Sequence, residues 1–316
     1  MARLFKNQIT GTFISAAMVL LLLSCTGEPD ATVVDFSDRI IVARPSDGRQ
    51  EDAHFKVAVG SIISAQETVV YYHELLEYLA EKLGREIQLV QRKTYREINQ
   101  LISAGQIDLA FICSGPYASG REKFGFEALA MPRVRGSHLY QSYLIVNKDG
   151  PIQTLADLRG RTFAFTDTES NTGKLVPTYW LGLEGERPVD FFDKTIYTYS
   201  HDNSIKAVAL SLVDGAAVNG QVWEYYQHRD PIFSAKTRVI RKSEPFGNPP
   251  VVASSRLPSQ MKDRMRDLLY NMHQDPQGEK ILEKLMIDRF IEPIEGCYNP
   301  ILAMKKKNET AGKKLR

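Results

Sequence analysis

The sequence predicts an α/β protein of two lobes, each a mainly parallel sheet flanked by helices, joined by a two-segment hinge. Three observations carry that expectation. Between Phe55 and Ala130, short apolar runs alternate with stretches whose apolar residues fall at helical spacing. A second series of the same kind begins after Asn147. Polar, turn-rich stretches at 147–150 and 244–249 then stand where the chain would pass from one series to the other and back.

The chain has 316 residues, 43% hydrophobic and 25% charged, with a net charge of +2. That is ordinary globular composition, long enough for one large or two medium domains. So small a charge favours no nucleic-acid partner.

Arg3 and Lys6 precede a short apolar core at 14–23, followed by Leu22-Leu23-Ser24-Cys25. The apolar run is too short for a comfortable membrane span and reads as a secretory signal. The pattern resembles a bacterial lipobox, which implies that Cys25 becomes the lipidated first residue of the mature chain. An uncleaved anchor with an incidental cysteine is the other reading. Either way the mature protein faces outside the cytoplasm, the periplasmic side in a Gram-negative cell, tethered to a membrane. Residues 1–25 are thus the signal, and 26–52, polar with Pro29, Pro45 and Gly48, read as a flexible tether.

Folding is expected to begin at the strand 55–60. A helix over about 67–83 follows, with Tyr72, Leu75, Leu76, Leu79 and Leu83 as its apolar stripe and Gly84 as its stop. Ser64 with Glu67, and Thr94 with Glu97, have capping-box spacing. Residues 86–90 alternate as a strand. Ile98, Leu101 and Ile102 form a second helical stripe, and 107–113 is nearly continuous apolar sequence, as in a strand covered on both faces. Strands at 126–130 and 140–147 complete the first series. The second runs through a short helix at 154–158, a strand at 161–165, a helix carrying Leu175, Tyr179 and Leu183, and a strand at 196–199. It continues with a helix carrying Ile205, Val208, Ala209 and Leu212, a strand at 216–218 and a helix at 222–226. Strands at 237–241 and 250–253 and helices over about 259–272 and 277–286 close the chain. The reading is lobe 1 at 53–147 plus 248–298, lobe 2 at 148–247, and a solvated basic tail at 299–316. Two crossings make a hinge, and the cleft between the lobes lies at the strand C-termini.

The most informative stretch is Thr166-Asp167-Thr168-Glu169-Ser170-Asn171-Thr172-Gly173, between a strand and a helix with Pro177 in its first turn. Such a loop directs backbone N–H groups and the positive end of a helix dipole outward, with the hydroxyls of Ser170 and Thr172 beside them. It is a seat for a tetrahedral oxyanion; plain N-capping is the other reading. Cys113 and Cys297 could bridge in an oxidising compartment, and spacing alone does not decide it. The chain shows no metal-spaced His/Cys cluster, no G-x-S-x-G elbow and no P-loop, so neither catalysis, cofactor nor metal is expected. A monomer is expected.

Val57-Ala58-Val59-Gly60, Tyr71-Tyr72, Tyr95, Gly105-Gln106-Ile107-Asp108-Leu109-Ala110-Phe111, Tyr143, Asp157-Leu158-Arg159-Gly160, Phe163-Ala164-Phe165-Thr166-Asp167 and Ser200-His201 together resemble one family. It is the phosphate/phosphite/phosphonate-binding branch of ABC-transporter periplasmic binding proteins, of type II two-lobe fold. The resemblance implies that Ser170, Asn171, Thr172 and Gly173 bind the anionic head, with Tyr95, Tyr143 and His201. It places Ser114, with its hydroxyl and N–H, at the matching strand end of lobe 1. Asn219 stands where an acidic residue often receives a ligand amine, which puts an aminophosphonate preference in doubt. Cys113 is a departure, similar to relatives that sense arsenite for histidine kinases; a thiolate suits arsenic(III), whereas phosphonate needs N–H and O–H donors. From the residues alone, Cys113 is equally a buried small hydrophobe, His201 a helix cap, and the two tyrosines core. Two functions follow: a lipid-anchored receptor passing an oxyanion to an ABC permease, or a sensory module docking on a kinase ectodomain.

Overall fold

The computed structural model describes residues 40–43, 54–294 and 296–314. The leader with Cys25 lies outside them. In chain order the first half contains β1 (Ile40–Ala43), β2 (Phe55–Val59), α1 (Ala65–Leu83), β3 (Ile87–Val90), α2 (Tyr95–Ser103), β4 (Leu109–Phe111), α3 (Ser114–Phe124) and β5 (Glu127–Val134). Then come β6 (Leu139–Tyr140), β7 (Ser142–Asn147), β8 (Thr162–Phe165), α4 (Val176–Leu183), α5 (Pro188–Phe191), β9 (Lys194–Tyr197), α6 (His201–Ala209) and β10 (Gly215–Asn219). The chain continues through α7 (Gly220–Arg229), α8 (Pro231–Ser234), β11 (Thr237–Lys242), β12 (Phe246–Gly247) and β13 (Val251–Ala253). It ends with α9 (Ser259–Asn271), α10 (Pro276–Lys284), β14 (Ile287–Ile291) and α11 (Asn299–Lys314).

The local chemistry explains the main elements. On α1 the residues Leu75, Leu76, Leu79 and Leu83 are buried, and Gly84 ends the helix at φ 62, where a side chain would be strained. Burying each such leucine contributes about 1.5–3 kcal/mol. The Thr94–Glu97 capping box is formed in both directions. At Ser64 the expected box is absent: its side chain caps nothing, and its backbone N–H donates instead to Asp202 Oδ1 at 2.8 Å.

A seven-stranded sheet has the order β1-β3-β2-β4-β13-β5-β14, and a five-stranded sheet the order β11-β7-β10-β8-β9. The β3-β2-β4 and β10-β8-β9 neighbours are parallel; the remaining pairs within these sheets are antiparallel. The sheets are therefore mixed rather than mainly parallel. For β7 and β13 the reason is topological: each arrives from the other lobe without a crossover helix and runs antiparallel to both of its neighbours. β6 and β12 pair antiparallel as a two-stranded ribbon, Phe246 opposite Tyr140. This ribbon, lying in both connecting segments, joins the lobes.

Three boundaries differ from the sequence reading. Ile40–Ala43, assigned to the tether, is an edge strand paired antiparallel with β3. β7, assigned to lobe 1, pairs with β10 and β11 and belongs to the second sheet, so the first crossing lies before residue 142 rather than at 147–150. The basic tail is the helix α11, with Ile301 and Met304 each about 2% exposed or less. Both sit in a hydrophobic cluster with Tyr117 of α3 and with Val176 and Trp180 of α4, so α11 lies across both lobes. Lysine count had suggested a solvated end; the spacing of Ile301, Met304 and the preceding Tyr298 decides otherwise.

Candidate functional site

The starts of α2 and α3 from the first sheet face the loop between β8 and the π-helical turn Asn171–Leu175 from the second. Gly115 makes the approach possible: a Cβ there would lie 2.7 Å from Glu169 O and 2.9 Å from Asn171 N. Hydrogen bonds cross between the lobes at this seam. The Tyr95 N–H donates to Asp167 Oδ2 at 3.2 Å, Arg96 Nε to Glu169 Oε1 at 3.0 Å, Ser64 N–H to Asp202 Oδ1 at 2.8 Å, and His201 N–H to Ile62 O at 3.0 Å. Burial pushes the Asp167 carboxyl up, opposed by the N–H groups of Glu169 and Tyr95.

Tyr95, Cys113, Ser114, Ser170, Asn171, Thr172 and His201 are all buried in this region. Ser170 is the N-cap, accepting the Gly173 N–H at 3.0 Å, so that N–H is committed within the loop. The Thr172 backbone carbonyl accepts from Ser142 Oγ at 2.7 Å, while Thr172 Oγ1 is buried without a hydrogen-bond partner among the described residues. Asn171 Nδ2 donates to Tyr140 Oη at 3.1 Å, and Tyr140 Oη shares a short hydrogen bond with Ser114 Oγ. Burial pushes the Cys113 thiol up, while the backbone N–H groups of Asn171 and Gly115 and the Tyr140 hydroxyl, all facing it, pull it down. The thiol is neutral and sits among the donors. Neither Cys113 nor Cys297 is bridged.

His201 is the first residue of α6, where Ser200 does the capping. Its Nδ1 accepts the Asn219 N–H at 3.0 Å, which leaves the proton of the neutral ring on Nε2. Burial pulls its pKa down to about 3 from 6.5. Above pH 6.5 neither the folded nor the unfolded chain holds that proton; below it the unfolded chain takes one that the folded chain refuses until about pH 3. The stability of the wild-type protein is therefore expected to fall by about 2 kcal/mol between pH 7 and pH 5 through this group. Urea unfolding of wild type and His201→Gln at both pH values measures it; parallel losses in the two proteins would show that the ring titrates freely in the fold.

Two expected site residues commit their side chains to other partners. Tyr143 points to the opposite face of β7, its hydroxyl donating to Glu224 Oε1 at 2.5 Å and accepting from Lys242 Nζ at 3.1 Å. Tyr140 and Ser142, whose side chains reach the site, lie on the other side of the chain, as two-residue alternation requires. That alternation separates Tyr140 from Tyr143, and pairing of β7 with β10 and β11 decides which of the two faces meets the site. Asn219 caps α7, its Oδ1 accepting from Gln221 N–H at 2.8 Å and Val222 N–H at 3.4 Å, so its carboxamide oxygen serves the helix. Asp167 and Asp202, the carboxylates that receive lobe 1 N–H groups, carried no separate sequence signal. Asp108 and Asp214 bind the N–H groups of Lys56 and Thr162 at neighbouring strand starts, as structural turns do.

A lobed pair of α/β sheets whose chain crosses twice, with helix starts converging at the seam, is the architecture of type II periplasmic binding proteins. The family model for the periplasmic substrate-binding protein of phosphonate ABC transporters matches residues 57–295, and the chain belongs to that family. It is accordingly a substrate-binding component of a transport system and not an enzyme. The chain is 26% identical over 246 residues to the phosphonates-binding periplasmic protein of Escherichia coli, covering 76% of this chain and 72% of that one. It is 24% identical over 272 residues to a phosphate-import protein of Mycolicibacterium smegmatis, covering 80% and 79%. Among solved structures, the binding component of a phosphonate transporter from Pseudomonas aeruginosa superposes with TM-score 0.78 at 24% identity, over 83% of this chain and 88% of that one. A methylphosphonate complex from Prochlorococcus marinus gives TM-score 0.72 at 19% identity, over 81% and 98%.

Proposed function

We propose that this chain is the lipid-anchored receptor of an ABC importer, and that it takes phosphonate or a related tetrahedral oxyanion at the loop before α4. The observation that carries the reading is the Thr172 hydroxyl, buried without a partner among the described residues; its chain neighbour Asn171 bonds Tyr140, which bonds Ser114. Buried polar groups are almost always hydrogen-bonded, so an orphan hydroxyl at a helix start is an argument for a ligand. His201 Nε2–H adds a neutral donor, and the Ser170 hydroxyl keeps its hydrogen while accepting from Gly173. The names of the Escherichia coli and Prochlorococcus relatives agree with a phosphonate head; the Mycolicibacterium relative leaves phosphate within the same class. Calorimetry of the folded protein with phosphate, phosphite and methylphosphonate is the test. Binding of at least one is expected, and binding of none ends the proposal.

The anchor rests on Leu22-Leu23-Ser24-Cys25. Cys25→Ser is expected to move the protein from the membrane to the soluble fraction of fractionated cells. Retention of the variant in the membrane would remove the lipobox reading.

A second reading has one observation in its favour: the Cys113 thiol faces the same N–H groups and the same tyrosine that an anion would use. In that reading the fold docks on a sensor-kinase ectodomain and takes arsenite through Cys113. Arsenic(III) favours thiolates, and Cys113 is a single, neutral, buried thiol. Cys113→Ser separates the two, because it abolishes arsenite binding in the sensor reading and leaves the affinity for methylphosphonate nearly unchanged in the transport reading.

A further inference from the structure

Beside the oxyanion seat lies a predominantly apolar cavity of about 150 Å³ between the lobes. Tyr71, Tyr72, Phe111, Tyr225 and Tyr226 supply most of its aromatic wall. The two edge-to-face pairs that shape it, Tyr71 with Tyr225 at 5.1 Å and Tyr72 with Phe111 at 5.4 Å, each hold one ring against another without filling the space between the pairs. Its position follows from the chain. Phe111 ends β4 two residues before Cys113, and Asn219, whose N–H binds His201, is part of the lining. Ile62, also in the lining, accepts the His201 N–H. The cavity therefore adjoins the face of the site on which His201 stands.

We propose that the ligand is an organophosphonate carrying a small aromatic or comparably bulky apolar substituent, seated in this cavity while its head is held at Thr172 and His201; the inference rests on the oxyanion reading above. An apolar cavity of roughly this size holds a benzene ring. The charged residues of the lining argue against an ammonium-bearing substituent. Glu224 is the single carboxylate there, and it is engaged by the Tyr143 hydroxyl at 2.5 Å and by Arg135 at 3.2 Å. Arg135 and Glu224 stand at the solvent side, half- and one-third exposed, so their charges are screened and mutually neutralised. A second, independent feature points to an occupant. Tyr226 is 7% exposed and lines the cavity, and its hydroxyl is buried with no hydrogen-bond partner among the described residues. One polar contact in an aromatic enclosure is what orients a bound ring.

The test is calorimetry of the full-length mature protein with methylphosphonate, phenylphosphonate and 2-aminoethylphosphonate, repeated on Val222→Phe. Val222 lines the cavity from α7 and donates only its backbone N–H, to Asn219. Phenylphosphonate is expected to bind about tenfold or more tighter than methylphosphonate, from the apolar area it buries, and 2-aminoethylphosphonate more weakly than either. In Val222→Phe the phenyl preference is expected to vanish while methylphosphonate affinity holds within about twofold. Equal binding of the phenyl and methyl compounds, a preference for the amine, or a phenyl preference that survives Val222→Phe overturns the inference while leaving the oxyanion reading intact. Failure of all three phosphonates to bind the wild-type protein overturns the inference, and only failure of phosphate and phosphite as well overturns the oxyanion reading.

Discussion

Gly115→Ala is expected to weaken methylphosphonate binding by up to about two orders of magnitude without unfolding the protein. The added Cβ would meet Glu169 O at 2.7 Å and Asn171 N at 2.9 Å, both backbone atoms of the opposite lobe. A side-chain clash can be relieved by rotation; a clash with two fixed backbone atoms is relieved only by moving the lobes apart. Overpacking of this kind costs about 1–3 kcal/mol, and here it falls on the lobe-to-lobe contact alone. It therefore appears as a lower population of the binding-competent form, raising the apparent Kd by roughly 5- to 150-fold. Each lobe keeps its own core, because neither hydrophobic cluster confined to a single sheet contains Gly115 or its contacts. Calorimetry and thermal unfolding of the ligand-free variant check the two halves of the claim. Unchanged affinity would mean that ligand is held with the lobes further apart than they stand in this structure.

Thr172→Val is expected to lower methylphosphonate affinity about ten- to a hundredfold. Valine keeps the size and β-branching and removes only the hydroxyl. Without ligand the substitution should be neutral or slightly stabilising, since Thr172 Oγ1 is buried with no partner among the described residues. With ligand it removes one charge-assisted hydrogen bond, worth about 1.5–3 kcal/mol. Opposite signs in the two measurements distinguish a ligand contact from a structural role. A variant that is less stable without ligand and unchanged in affinity would show that the hydroxyl supports the loop.

The loop of residues 166–173 was legible because its signals are local: β-formers before it, hydroxyl and amide residues within it, Pro177 after it. Ser170, Asn171 and Thr172 stand in the seam as read, and Ser170 at the same time does the capping that the same residues equally allowed. Tyr95 was expected in the site through the family resemblance alone; the capping box of Thr94 and Glu97 fixes the start of its helix. Tyr143 and Tyr140 are a close pair whose hydroxyls point to different faces, Tyr143 to Glu224 and Tyr140 to Asn171. The choice between them depends on which face of β7 meets the other lobe, and that is set by pairing with β10 and β11 rather than by anything within residues 140–147. Asn219 was expected in the site through the resemblance, at a position where an acidic residue often receives a ligand amine; its carboxamide oxygen caps the helix that begins directly after it.

By itself the sequence determined the alternation of strands and helices, the positions of most helix ends and the two-lobe division, because periodicity, caps and turn residues act over a few positions; the family came from the resemblance of an ordered set of residues. Only the tertiary structure decided which lobe claims β7, that Ile40–Ala43 joins a sheet edge, and that α11 packs across both lobes. It alone decided that Asp167 and Asp202 latch one lobe to the other, and that five aromatic residues scattered from Tyr71 to Tyr226 enclose one cavity. The physical reason is common to all of these. They are contacts between residues far apart in the chain, and their free energy comes from burial and hydrogen bonding that exist only once the lobes have come together.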